Sequence, residues 1–64
     1  MSMNLIAVPF ERLRAGVTIL RSDGRFERAA TVEKGDYSVR VIFDDGRIEH
    51  HERSEQAEVL TRQS

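Results

Sequence analysis

The residues best equipped for chemistry lie between Val41 and Glu52, where the chain reads VIFDDGRIEHHE. Two aspartates, a glycine and a histidine pair flanked by glutamates are the ingredients of a metal site, an acid–base site or a tight turn. A metal site fails on direction. Neighbouring residues of a strand point to opposite faces, so His50 and His51 cannot converge on one ion. Glu49 shares the face of His51, and Glu52 that of His50. His–carboxylate pairs are therefore expected, of the kind that fix an imidazole. A calcium loop needs alternating oxygen ligands and a distal glutamate, and Asp44-Asp45 has neither. There is no cysteine, no GxSxG, no phosphate-cradling glycine loop and no HExxH. No enzyme activity, cofactor or metal is expected. The turn remains. Aspartate before glycine caps its own backbone, and glycine supplies the positive φ of a hairpin.

The elements around that turn read as strands. Asp23-Gly24 repeats the signal and Lys34-Gly35-Asp36 adds a third turn. Strands are expected over residues 16–21, 25–33, 37–43, 47–51 and 57–60. A single helical turn over 53–56 is expected before the last, with Ser54 as its cap. In the third strand Tyr37, Val39, Val41 and Phe43 fall on one face. In the second, Phe26, Ala30 and Val32 do not share a face cleanly with Ala29 and Thr31, which calls for a bulge. The apolar segment Leu5 to Phe10 lies outside this pattern. Pro9 marks it as an edge strand or a strand end. It serves as a cover for the core or as a contact for a second copy or another protein. Residues 61–64 read as a frayed tail.

The totals agree with one small domain. At 64 residues, folding hides only about 60% of the unfolded surface. Hydrophobic residues make up 39% and charged residues 33%, too apolar a mixture for wholesale disorder. The absence of cysteine excludes a disulfide framework and points to a reducing, cytoplasmic setting. No apolar run approaches the roughly 20 residues that span a bilayer, and no basic region opens a signal peptide. Net charge is −1, which does not favour nucleic acid. The charge is uneven: five arginines face three acids between Glu11 and Arg28, and two face six between Asp44 and Glu58. Such a two-signed surface suits protein partners.

The order of a glycine start, a strand, DGRFERA, a glycine turn, YSVRVIFDDG and a closing Val59-Leu60 resembles Tudor domains, of the SH3-like small-barrel group. The likeness covers about residues 13–60. It rests on Gly24-Arg25-Phe26-Glu27-Arg28-Ala29 and on Phe43-Asp44-Asp45-Gly46. It implies an all-β, five-stranded antiparallel barrel over 13–60, with an N-terminal extension over 1–12 and the tail over 61–64. In the methyl-lysine readers of that family, aromatics and one acid form a cage on the barrel rim. Here Leu20, Glu27 and Arg47 stand at aromatic positions, while Phe43 and Asp45 are kept. One ring cannot make a cage. The rim expected instead sets Glu27, Asp44, Asp45, Arg25 and Arg47 around Phe43 as a single aromatic anchor.

The resemblance implies a small interaction module that binds a protein, such as a component of the transcription, repair or chromatin machinery. A chain of this size suits a bacterial or phage adaptor. Two other readings stay open. A nucleic-acid-binding barrel would use Arg21, Arg25, Arg28, Lys34 and Arg40 as its basic face. A homo-oligomeric structural protein would use Leu5–Phe10 and the strand edges.

Overall fold

The computed structural model describes residues 2–63, and side chains over residues 3–61. Six strands follow one another: β1 (Ser2–Pro9), β2 (Thr18–Leu20), β3 (Phe26–Lys34), β4 (Ser38–Phe43), β5 (Ile48–Glu52) and β6 (Gln56–Gln63). A single 3-10 turn, Phe10–Arg12, joins β1 to the loop before β2. All pairings are antiparallel, in the order β1-β6-β2-β3-β4-β5. The fold is all-β, as expected, but the sheet is not closed. Among the described residues no ladder joins β5 to β1 at the opposite edge, so the five-stranded barrel is not what the backbone hydrogen bonds make.

The anticipated bulge is present. β3 pairs with β2 over Phe26–Arg28 and with β4 from Ala29 onward, and the register shifts between Ala29 and Thr31. Before the shift Glu27 and Ala29 face inward. After it the inward residue is Val32. One extra residue changes the parity and bends the strand, so β3 serves both halves of the sheet. β4 follows the alternation, with Val39, Val41 and Phe43 buried. Tyr37 does not join them. It precedes the strand and is 89% exposed, because the Gly35 turn releases the pleat there. The core is completed by Phe10, Leu13, Ile19, Ala57 and Val59, with Ala29 beneath the bulge.

The N-terminal segment is an edge strand, one of the two roles Pro9 suggested, but it is longer than expected, and the C-terminal residues depart from the expectation. The N-terminal extension is a full strand lying along β6, from Ser2↔Gln63 to Pro9↔Gln56. Residues 61–63, expected to be frayed, continue β6, and Thr61 Oγ1 donates to the Asn4 carbonyl at 3.3 Å. Ser64 lies outside the described residues. Of the segment 53–56, residues 53–55 form a plain turn rather than a helical one, and Gln56 already opens β6. Ser54 is exposed, and Glu55 N donates to Glu52 O at 3.1 Å. Among the described residues no helix is long and apolar enough to cross a membrane.

Candidate functional site: a self-neutralised rim and an uncharged edge

The two aspartate–glycine turns are built alike. Gly24 N donates to Arg21 O and Arg21 N to Arg25 O; Gly46 N donates to Phe43 O and Phe43 N to Arg47 O. Gly24 and Gly46 hold φ of +86° and +89°, while among the described residues no residue other than glycine has positive φ. This is the three-residue hairpin in which a type I turn ends on a left-handed glycine. In each turn the aspartate Oδ1 accepts the amide of the residue two ahead, at 3.0 Å (Asp23 from Arg25, Asp45 from Arg47).

The second oxygens of these aspartates meet on one side chain. Arg21 donates through Nη1 to Asp45 Oδ2 and through Nη2 to Asp23 Oδ2, both at 2.6 Å. Its guanidinium is almost fully buried and lies 5.4 Å from the centre of the Phe43 ring. Glu27 stands 4.0 Å away, and Arg47 Nη1 reaches Asp23 Oδ2 at 3.3 Å. The hydrogen bond from Arg21, then the Arg25 amide, holds Asp23 below the usual carboxylate range. The Arg47 amide, then Arg21, does the same for Asp45. The bonds to Asp45 and Asp23 raise Arg21 further, against the cost of burying it.

Three of the five expected charged rim residues are therefore gathered, but around a different centre. Asp45, Glu27 and Arg47 surround Arg21. Arg25 is exposed and gives its amide to the turn. Asp44 faces Arg28 at 3.0 Å. Leu20 is half-buried in the wall of a groove of about 300 Å³ beside Phe10, Ser22 and His51. Phe43 corrects the expectation of an exposed anchor. At 1% exposure it lies in the core beneath Arg21 and offers no ring to a ligand. The missed residue is Arg21. Its signal is a short repetition, since Asp-Gly-Arg-apolar-Glu occurs at residues 23–27 and again at 45–49. Two like turns presenting two like carboxylates need one shared cation.

A second cluster closes the seam where the sheet stays open. Glu49 and His51 share the inner face of β5, opposite Val41 and Val39. Glu49 Oε2 accepts from Ser22 Oγ at 3.1 Å, tying β5 to the β2–β3 turn. His51 Nε2 lies 2.8 Å from Glu49 Oε1, and its Nδ1 lies 2.9 Å from Glu55 Oε2. Its ring stacks on Phe10, centroids 4.0 Å apart and 6° from parallel. Burial disfavours the charged ring, but the bonds to Glu55 and Glu49 outweigh it, and the His51 pKa lies above its ordinary value. Glu49, despite its own burial, lies below its ordinary value because His51 and Ser22 donate to it. Among the described residues no group of three or more His, Asp or Glu side chains is placed to hold a metal ion.

The two sheet edges differ. β5 carries Glu49, His50, His51 and Glu52 in five residues, and charges on an edge block the addition of another strand. β1, SMNLIAVP, has no titratable side chain in eight residues, and Met3, Leu5 and Ile6 are about half exposed. Phe10 N donates to Glu55 O at 2.9 Å, one step beyond the Pro9↔Gln56 pair. By the alternation of an antiparallel ladder, Val8, Ile6 and Asn4 bond to β6. Pro9, Ala7, Leu5 and Met3 turn their backbone groups to the free edge, so the N–H that Pro9 lacks is not missed inside the sheet.

No protein-family model matches the chain, and neither a curated protein nor a solved structure matches it.

Proposed function

We propose that the chain is a small, non-enzymatic, Tudor-like interaction module that binds a protein partner, through the free edge of β1 rather than through the charged rim. The uncharged edge carries this reading. Eight residues without a charge, in a chain that is one-third charged, leave backbone donors and acceptors beside half-exposed apolar side chains. Strand addition uses that combination: the main chain supplies affinity and alternate side chains supply selectivity. The barrel relationship is supported by β3, bent at a bulge and shared between two half-sheets, and by β6, which returns beside β2. A partner from the transcription, repair or chromatin machinery is what the Tudor likeness implies.

The rim suits this role less well, because its charges already satisfy one another. The same holds for three of the five residues of the basic face that nucleic acid would need. Arg21 is buried between aspartates, Arg28 faces Asp44, and Arg40 is paired with Glu33. A tagged pull-down, with and without nuclease and at low and high salt, tests the reading. A protein retained under all conditions by wild type, and lost by Leu5→Lys, is the expected result. Retention that ends with nuclease or salt would overturn it in favour of phosphate contacts.

A further inference from the structure

We infer that the partner at the β1 edge is a second copy of this chain, whose β1 pairs antiparallel with the first about a two-fold axis at Leu5. The inference rests on the protein-binding reading of that edge and names its occupant. Three observations carry it: the shape of the β1–β6 ladder, the hydrogen-bonding parity of β1, and the missing charge.

β6 pairs with β2 only at Val59 and Leu60, yet its ladder with β1 runs on to Ser2↔Gln63. Residues 2–4 and 61–63 therefore extend past β2 as a two-stranded ribbon. Such a ribbon is marginal by itself, and three or more strands with an apolar face are needed for stability. A two-fold axis at Leu5 sets residues 6–8 of the second copy, with its β6 behind them, against this ribbon and makes the sheet four-stranded there.

Parity fixes the register. The outward backbone groups belong to Met3, Leu5 and Ala7, with only a carbonyl at Pro9. Setting Leu5 opposite Leu5 of the second copy places Met3 opposite Ala7, and every outward N–H finds a carbonyl. Sliding the strands two residues toward Pro9 sets Met3 against Pro9, which has no N–H to give. On the face carrying Leu5, the two Leu5 side chains meet at the axis, and each borders the half-buried Leu60 paired with it on β6. A symmetric antiparallel pair sets the axial residue against its own copy and brings the whole strand against itself, so a strand carrying like charges would repel itself. β1 has no charge to repel, whereas β5 is excluded as a self-pairing edge by its glutamates.

Sedimentation from about 1 µM to about 1 mM, a span that covers weak association, reads the outcome. The mass is expected to rise from 7.3 kDa to twice that value. Amide exchange at Met3, Leu5 and Ala7 should slow with concentration while the other amides keep their rates. Leu5→Lys and Leu5→Glu should each stay monomeric, and mixing the two should restore the dimer, because the opposed positions then carry opposite charges. Restoration also shows that both variants fold. A monomer at the highest concentration overturns self-pairing. So does a dimer indifferent to both substitutions, or a mixture that remains monomeric. If the monomer still captures a different protein through β1, only self-pairing fails. If it captures none, the interaction reading falls with it.

Discussion

Arg21 shows what a buried guanidinium does when two turns compete for it. It offsets two partly exposed carboxylates that would otherwise repel across the seam, so removing it leaves like charges facing one another. Arg21→Met is expected to lower the melting temperature, and adding Asp23→Asn should recover part of the loss. A double-mutant cycle that shows no coupling would refute the bridge. Asp23 and Asp45 both lie below their ordinary 3.8, so their contribution is full above that value and is lost as pH falls through the lower folded pKa. His51 runs the other way. Carboxylates only accept, so both ring contacts are satisfied only by the doubly protonated ring. Its folded pKa exceeds 6.5; its contribution is complete below 6.5 and lost as pH rises through the folded value. Melting against pH should show that alkaline decline in wild type and not in His51→Gln. The sequence displayed half of this. Strand parity gave the Glu49–His51 pair, but Glu55 arrives through the turn after β5, where parity has no say. Arg21 was misread as part of a basic face because charge counted along a chain does not reveal which guanidinium turns inward.

Among the elements, β3 and β4 were legible because alternation and its failure are local signals. A broken parity at Ala29–Thr31 announced the bulge, and the unbroken one from Val39 to Phe43 announced a core strand. Phe43→Ala should cost about 3–5 kcal/mol, as for a buried ring that leaves a cavity, measured by urea unfolding. A cost near zero would mean that the ring is not in the core. The hairpin at Gly46 offers a cleaner test, since a Cβ there would meet nothing within 4 Å and only the backbone objects. Gly46→Val should lose at least about 1–2 kcal/mol from the left-handed conformation alone, whereas Gly46→Asn should lose less. Equal stability of the two would contradict the turn. β1 was legible as an edge strand or strand end from Pro9, but not its length or its partner, because β6 lies some fifty residues away and nothing near β1 in sequence reports the pairing.

For the molecule as a whole, the all-β class followed from turns and periodicity, while closure did not. The seam beside β5 is crossed by Ser22–Glu49, Arg21–Asp45 and the Phe10–His51 stack instead of by a ladder. Side-chain bridges between distant turns leave no periodic trace. The difference between the two edges has the same origin, since composition marks a strand as charged or uncharged but not as outermost. The ladder from Ser2 to Gln63 also sets an order in time. The meander from β2 to β5 is made of neighbours in sequence, whereas β1 and β6 must close a loop that spans nearly the entire chain. Distant pairings bear their loop-closure entropy before any contact rewards it, and so they form late. In pulse-labelled refolding, amides of β3 and β4 are expected to be protected before those of β1 and β6. The edge that would recognise another copy thus comes into being at the final step, and a chain still emerging from synthesis has no such edge to offer.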